Sequence, residues 1–447
     1  MRVILLLLVV AGVARGGDYR AAGEAILDKI IASFRNPAAN GLYAEKIDAA
    51  GIIDPANGGV CYVWPASHLL RALRWGAAVD SARYYARYRE FVFNVYRYKG
   101  QDAGRPGYAV LPGAGELFFD DNAVMTVEMA LAYTGMREQA VLSDAVMAYE
   151  FSHQVHDTAW GIPQTPAQLG SGMYYSMAIS PTAHGAAILA RATGAGEYRE
   201  EAEAYYTRLQ EPFRLLKDTA TGLFQQFTFN TADAWAFTRT VGGKPLDGHG
   251  LRAYQTAYVI RLAVELWQAT GEAKYLADAK SMTQACLTRF YTEGHGLGEI
   301  GFWGGDDLVD ALEDLYRGTG EAAWHGYAAG IVDYLMEYGR DSRGWYPSDE
   351  DDGKGDWNLD RRNAPAGPVS VIGQAAAAAS LLRLAWESGH AVVGVRAGHG
   401  HARPAGSVQG FPMPSATWRI DGRSLAPFPG PFPGPFPGPI LAPFLDP

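Results

Sequence analysis

The sequence has little cysteine, with Cys61 and Cys286 as the only two among 447 residues. No Cys/His spacing is typical of zinc, and no Asn-x-Ser/Thr sequon is present. Two cysteines so far apart in sequence leave two alternatives open, a disulfide in an oxidising compartment or two buried free thiols. We therefore expect no N-glycosylation, no metal and no cofactor.

Positive charge is also scarce. The 38 Lys and Arg are outnumbered by 48 Asp and Glu, which gives a formal net charge of -10. Nucleic acids and anionic membranes attract clustered Lys and Arg, so this balance argues against both as partners. Aromatic residues are plentiful instead, with 11 Trp and 25 Tyr, and this favours stacking on sugar rings or other ring-shaped ligands.

Long apolar runs are confined to the first residues of the chain. The run Val3–Val13 follows Arg2 and leads into small residues up to Gly16, which is the layout of a secretory signal peptide. No later stretch approaches the roughly 20 apolar residues of a membrane span. The sequence predicts a signal peptide over 1–16 and a secreted, soluble product that is a monomer; an uncleaved N-terminal anchor is the alternative.

Six apolar runs with helical spacing recur along the chain, and each ends in a glycine, the usual residue after a helix C-terminus. The glycines are Gly76, Gly135, Gly194, Gly271, Gly320 and Gly389. Most runs precede a second, amphipathic helical segment. Convincing strands are few, and 222–229 is the best candidate. The pattern predicts an all-α fold, an (α/α)6 barrel or six-hairpin toroid over 17–390, with apolar inner helices and charged, Tyr-rich outer ones.

The inner helices of such a barrel should all begin on one rim. The residues expected there are polar or aromatic, as a sugar cleft requires: Tyr62, Trp64, His68, Asp120, Asp121, Asn122, Ser180, Thr182, His184, Tyr254, Gln255, Trp303, Asp306, Asp307, Ser370 and Gln374. From this rim we predict substrate contacts by Trp64, Phe119, Asn122, Ser180, Tyr254, Gln255, Asp306 and Asp307, although capping of the fifth inner helix is the favoured role for Asp306 and Asp307.

The strongest local signal is Asp120-Asp121, which follows two phenylalanines at the start of the second inner helix. One helix N-cap needs one aspartate, so the second carboxylate is surplus to capping. The alternative is an acidic helix start favoured by the helix dipole.

The run Phe118-Phe119-Asp120-Asp121-Asn122-Ala123 resembles the aromatic-Asp-Asp-Asn-Ala motif of the glycoside hydrolase family 76 endo-α-1,6-mannanases, which are (α/α)6 barrels. Ala178-Ile179-Ser180 and Tyr254-Gln255 also match, and the resemblance covers about residues 20 to 390. It implies a retaining mechanism with Asp120 as the nucleophile and Asp121 as the general acid/base. Neighbouring residues can bring their carboxyl groups to the roughly 5–5.5 Å that retention requires.

The sequence departs from the family pattern in three places. Trp160-Gly161-Ile162-Pro163-Gln164 stands where the family has Gly-Gly-Ile followed by aromatics. Ser180-Pro181 replaces Ser-Asn, and Tyr254-Gln255-Thr256-Ala257 replaces Tyr-Asn-Gln-Gly. These changes bear on sugar contacts more than on the type of reaction.

The main functional hypothesis is hydrolysis or transglycosylation of α-1,6-linked mannan or a related α-mannoside. One alternative is another (α/α)6 enzyme, an unsaturated uronyl hydrolase or a sugar epimerase. An anionic substrate would require basic residues at the rim, where only Arg239, Lys244 and Arg252 are candidates. The other alternative is a glycan-binding or wall-organising protein without turnover. The Pro- and Gly-rich segment 391–447 predicts a disordered tail.

Overall fold

The computed structural model describes residues 2–157, 161–210, 217–218, 220–229, 240–241, 244–245, 251–298, 304–347 and 357–390. Side chains are described from residue 18 onward, with the exception of those in 227–229, 240–241 and 244–245. The predicted tail and the rim residue Trp303 lie outside these ranges.

Twelve α-helices in the described residues form two concentric rings. The inner helices are α2 (Val63–Val79), α4 (Phe119–Met136), α6 (Ser176–Thr193), α8 (Ala253–Thr270), α10 (Gly305–Thr319) and α12 (Val371–Gly389). The outer helices are α1 (Arg2–Ser33), α3 (Ser81–Asn94), α5 (Gln139–His153), α7 (Gly196–Gln210), α9 (Ala273–Phe290) and α11 (Ala322–Tyr338). Each inner helix packs on the next, and α12 packs on α2 to close the ring. The predicted (α/α)6 barrel is confirmed.

Short antiparallel strand pairs connect the helices. They are β1 (Arg35–Asn36) with β2 (Leu42–Tyr43), β3 (Lys46–Ile47) with β12 (Val369–Ser370), β4 (Lys99–Asp102) with β5 (Arg105–Tyr108), β6 (Met173–Tyr175) with β7 (Phe227–Phe229), β8 (Thr240–Val241) with β9 (Lys244–Pro245), and β10 (Tyr291–Thr292) with β11 (Gly296–Leu297). The β6–β7 pair pins the long connection after α7 to the start of α6, with Tyr175 opposite Phe227. The strand expected over 222–229 is therefore present over its last three residues.

Three of the six glycines end their helices as predicted. Gly194, Gly271 and Gly320 each take the left-handed conformation, with φ of 77°, 74° and 72°. A glycine has no Cβ to clash there, so it reverses the chain at little cost.

Of the other three glycines, one still ends its helix and two correct the prediction. Gly76 lies inside α2 and Gly135 inside α4, where Arg137 takes the left-handed position instead. Gly389 is the last residue of α12. At residue 76 the cause is packing, because a Cβ there would lie 2.5 Å from Leu27 Cδ2 of the outer helix α1. A glycine in an apolar run can therefore mark a close helix contact as well as a helix end.

The N-terminal segment is helical, since α1 extends from Arg2 through the predicted signal region. No helix among the described residues is long and apolar enough to cross a membrane. The signal peptide, its cleavage and secretion remain predictions. Cys61 and Cys286 are buried free thiols, which selects one of the two alternatives left open by the sequence.

Candidate active site

Asp120 and Asp121 are the second and third residues of α4, and only 5% and 6% of their surfaces are exposed. The N-cap is Phe118, and no side chain caps this helix. The expectation that one aspartate is needed for capping is therefore wrong. The Asp121 N–H donates instead to Asp120 Oδ1 at 2.9 Å. Both carboxylates are buried without a capping role, and burial of an ionised carboxylate costs free energy unless it is paired, hydrogen-bonded or protonated.

A loop after α5 lies directly against this helix start. The Phe119 N–H donates to the Gln164 carbonyl at 2.8 Å, and Gln164 Nε2 donates to Asp120 Oδ2 at 3.1 Å. Gln168 Oε1 accepts the N–H groups of Gln164 and Thr165 at 3.0 and 3.1 Å, which holds the loop in this position. Sequence reasoning noted Gln164 only as a departure from the family pattern and did not place it at the site.

The two aspartates are predicted to differ in protonation. Burial raises the pKa of Asp120 to about 7, although the hydrogen bonds from Gln164 and from the Asp121 N–H act in the opposite direction. Burial, and next the negative charges of Asp120 and Glu116, raise the pKa of Asp121 well above its usual range. Asp121 therefore keeps its proton at neutral pH, while Asp120 is the carboxyl that ionises first.

Two tyrosines face Asp120 from neighbouring elements. Tyr175 ends β6 and Tyr254 lies in the first turn of α8, and their hydroxyls are hydrogen-bonded to each other. Gln226 Nε2 donates to the Tyr175 hydroxyl at 3.3 Å. Burial raises the pKa of both phenols, so they remain neutral beside the carboxylate. Tyr254 is a predicted site residue, whereas Tyr175 has no sequence signal beyond an aromatic residue before a helix.

Several predicted contact residues have side chains engaged within the fold. Phe119 is fully buried and packs on Phe151 with ring centroids 5.0 Å apart. Asn122 Oδ1 accepts the Tyr108 N–H at 2.7 Å, and Asn122 Nδ2 donates to the carbonyls of Tyr108 and Phe118 at 2.9 and 2.7 Å. Asn122 thus ties β5 to the start of α4.

Two further predicted contacts make local hydrogen bonds. The Ser180 hydroxyl donates to the Ser176 carbonyl at 2.7 Å, and Gln255 Oε1 accepts the Arg252 N–H at 3.0 Å. Trp64 differs, because it is half-buried in the first turn of α2. Trp64 is therefore the predicted contact whose aromatic ring is best suited to stack on a sugar, whereas Tyr254 is buried.

Asp306 and Asp307 begin α10 but do not cap it, because the N-cap is Gly304 and no side-chain cap is formed. The capping expectation is wrong, and the reason is a buried cation. Arg71 Nη1 lies 2.7 Å from Asp306 Oδ2 and 2.5 Å from Asp307 Oδ1. Its Nε donates to Glu128 Oε1 at 3.0 Å. These four side chains form a charge network that links α2, α4 and α10 inside the barrel.

His68 completes this network, with Nδ1 2.9 Å from Asp306 Oδ2. Burial alone would raise the pKa of Asp306, but His68 and Arg71 outweigh it and lower that pKa below its usual value. Burial raises the pKa of Asp307 to about 6. Ligand atoms of His68, Asp306 and Asp307 lie within 4.8 Å of one another, a spacing that could hold a metal ion. Arg71 already supplies positive charge to both carboxylates, so these residues fit an ion-pair network better.

The raised pKa of Asp120 predicts a pH-dependent stability. Its value is about 7 in the folded protein against 3.8 as the ordinary value, so only the unfolded chain ionises fully at pH 5. This group's stabilising contribution is complete below pH 4 and is lost as the pH rises to about 7. We expect the unfolding temperature of Asp120→Asn relative to wild type to increase from pH 4 to pH 7 in thermal melts.

A matched control for these melts is Asp360→Asn, because Asp360 is exposed and hydrogen-bonded to Arg362. The unfolding temperature of Asp360→Asn relative to wild type should not increase from pH 4 to pH 7. If the difference in unfolding temperature between Asp120→Asn and wild type is constant from pH 4 to pH 8, this result would contradict the proposed burial of an ionisable Asp120.

Glycoside hydrolases use two carboxyl groups that differ in protonation. Asp120 and Asp121, on one helix start beside neutral tyrosines, are such a pair. A family model confirms this class. The model described as glycosyl hydrolase family 76 matches residues 22–303, and the chain belongs to that family. A search of curated proteins finds no matching relative.

Solved structures share the fold. A family 76 α-mannanase of Bacteroides thetaiotaomicron has a TM-score of 0.69 at 18% identity, covering 82% of this chain and 95% of that one. A second structure is that of an α-1,6-mannanase of a Salegentibacter species, an inactive variant in which two consecutive aspartates are changed to asparagine, in complex with α-1,6-mannotriose. Its TM-score is 0.64 at 16% identity, and the match covers 82% of this chain and 99% of that one.

A more distant similarity is to the cellobiose 2-epimerase of Bacillus thermoamylovorans. Its TM-score is 0.60 at 13% identity, and the match covers 82% of this chain and 98% of the epimerase. At these identities, each of the three structures is evidence for the shared barrel fold alone.

Proposed function

We propose that this glycoside hydrolase is an exported enzyme that cleaves α-1,6-linked mannan with retention of configuration, with Asp120 as the nucleophile and Asp121 as the general acid/base. The observation that carries the proposal is the Asp120–Asp121 pair itself, buried on one helix start, with the Asp120 carboxylate accepting hydrogen bonds from the Asp121 N–H and Gln164 Nε2. The Salegentibacter variant supports it, because two consecutive aspartates were changed to obtain an inactive protein that binds α-1,6-mannotriose.

In the first step Asp120 attacks the anomeric carbon, and Asp121 gives its proton to the leaving oxygen as the glycosidic bond breaks. A covalent glycosyl-enzyme forms. In the second step Asp121, now ionised, takes a proton from water, and the water oxygen displaces Asp120 from the anomeric carbon. Both residues return to their starting protonation states, and two inversions at one carbon give net retention.

The surroundings of the pair suit an uncharged substrate. Tyr175 and Tyr254 offer neutral hydroxyls close to Asp120, and Trp64 offers a half-buried ring on the same rim. Arg71, although buried nearby on α2, is engaged by Glu128, Asp306 and Asp307. Within the described part of the rim, Arg252 also lies beside Tyr254, while the neutral hydroxyls and the Trp64 ring favour recognition of sugar hydroxyls.

The test is incubation of the purified protein with linear α-1,6-mannan, followed by chromatography and mass spectrometry of the products. We expect mannooligosaccharides from this polymer and none from β-1,4-mannan, cellobiose or unsaturated uronyl oligosaccharides. The control is the Asp120→Asn/Asp121→Asn double variant, which should release nothing. Release from another polymer and not from α-1,6-mannan would reject the proposed substrate.

A further inference from the structure

Gln164 is fixed against the start of α4 by two hydrogen bonds. Its main-chain carbonyl accepts the Phe119 N–H at 2.8 Å, and its side-chain Nε2 donates to Asp120 Oδ2 at 3.1 Å. The first N–H groups of a helix have no partner within the helix, so the carbonyl of Gln164 accepts an N–H of α4 that would otherwise lack a partner. The same contact sets the distance from which the side-chain amide reaches Asp120.

The loop that carries Gln164 is braced on both sides. Gln168 Oε1 accepts the Gln164 N–H at 3.0 Å, and the Tyr175 N–H donates to the Ile162 carbonyl at 2.8 Å. The loop is thereby attached to β6 as well as to α4. A side chain held by such an arrangement loses little further entropy when it binds its partner.

We propose that Gln164 is the positioning residue of the active site, and that its amide N–H orients Asp120 for attack and favours the ionised form of that carboxylate over an ionised Asp121. This inference rests on the catalytic roles proposed above for the two aspartates. Both Asp120 oxygens then accept a hydrogen bond, because the Asp121 N–H binds Oδ1 and Gln164 binds Oδ2.

The other ionisable groups around Asp120 do not favour its ionised form over an ionised Asp121. Asp121 and Glu116 come from the same segment and carry or develop negative charge. Tyr175 comes from β6 and Tyr254 from α8, and both are neutral. Arg252 acts on Tyr254, and within the described residues no Lys, Arg or His forms an ion pair with Asp120. The Gln164 hydrogen bond is the largest influence that lowers the pKa of Asp120 against burial.

The test compares Gln164→Met, which keeps the length of the side chain and removes the donor, with wild type. Gln164→Met loses a hydrogen bond to a charged group. This loss should move the acidic limb of kcat/KM on α-1,6-mannan to higher pH by about one to two units. Gln164→Glu should move it in the same direction and further, because it adds a negative charge beside Asp120. The control is Gln226→Met, which removes an amide bound to Tyr175 and should leave that limb in place.

A second measurement does not depend on turnover. The Asp120 carboxyl can be followed by carbon-13 NMR in aspartate-labelled protein, with its resonance assigned from the spectrum of Asp120→Asn. Its titration midpoint should be higher in Gln164→Met than in wild type. If wild type does not cleave α-1,6-mannan, the proposed function fails while this titration still decides the role of Gln164.

Equal titration midpoints in wild type and Gln164→Met would overturn the inference. So would a lower kcat at every pH with an unmoved acidic limb, since this result would show that Gln164 only supports the loop.

Discussion

Replacing Asp120 with asparagine is expected to lower the turnover of α-1,6-mannan by roughly 10⁵- to 10⁶-fold, the scale of loss when an enzyme nucleophile is removed. Asparagine cannot form the glycosyl-enzyme, so the loss should be the same for substrates with good and poor leaving groups. The amide should still accept the Asp121 N–H that now binds Asp120 at 2.9 Å. The variant should therefore remain folded.

Asp121→Asn should give a different pattern. Loss of a general acid lowers turnover of the polymer by roughly 10²- to 10⁴-fold. Activated α-mannosides need no proton on the leaving group, so their first step should be nearly unaffected, and added azide should accelerate the second step by replacing water. Steady-state and burst kinetics on both kinds of substrate provide the measurement. If both variants stay folded and cleave α-1,6-mannan at wild-type rates, the pair is structural.

Replacing Arg71 with methionine is expected to destabilise the protein by about 3–5 kcal/mol, the cost of removing one partner from a buried ion pair. Arg71 is 1% exposed and contacts Glu128, Asp306 and Asp307. Without its guanidinium, these three buried carboxylates lose the cation that they share, and His68 remains as a partner of Asp306 alone. The free energy of unfolding from denaturant titration at pH 7 gives the result.

A matched control for this experiment is Arg317→Met. Arg317 also binds a buried carboxylate, that of Glu387, at 2.7 Å, but its own side chain is 42% exposed. Glu387 keeps a second cation after this substitution, because Arg383 Nη2 lies 2.8 Å from the same carboxylate oxygen. We therefore expect a loss of about 1 kcal/mol or less. The deficit of Arg71→Met should shrink when Asp307→Asn is added, because one uncompensated charge is then removed. Equal losses for Arg71→Met and Arg317→Met would contradict the importance of this network.

The barrel could be predicted from sequence because a helical run ending at or near a glycine recurs six times along the chain. Glycine was a reliable helix-end signal at Gly194, where only backbone geometry is at stake. The signal failed at Gly76, where a glycine is required because Leu27 of α1 packs too closely for a Cβ. Local patterns predict local conformation, whereas close packing between distant helices leaves no separate signal in a single sequence.

The position of the candidate site could be inferred in part for the same reason, and the roles of its residues stay predictions. Asp120, Asp121 and Tyr254 begin inner helices, and helix starts could be located from the repeat pattern. Gln164 and Tyr175 come from connecting loops, whose path depends on hydrogen bonds such as that from the Phe119 N–H to the Gln164 carbonyl. No periodicity predicts such a path.

Arg71 left a usable signal that the sequence analysis did not use. It lies within the apolar run that ends at Gly76, and an arginine on the buried face of a helix must have an acidic partner. That rule would have predicted a paired arginine inside the barrel. It could not have said which acids it meets, since Glu128, Asp306 and Asp307 come from two other helices.

The proposed mechanism is a retaining cleavage of α-1,6-mannan in which Asp120 and Asp121 act together. Proton NMR of the reducing ends during the first minutes of hydrolysis tests it most directly, because the anomer released first is seen before mutarotation mixes the two forms. Retention predicts that the α-anomer appears first from wild-type enzyme. The β-anomer appearing first would mean inversion by carboxyl groups roughly 6.5–9.5 Å apart, and would contradict the assignment of adjacent aspartates as nucleophile and acid.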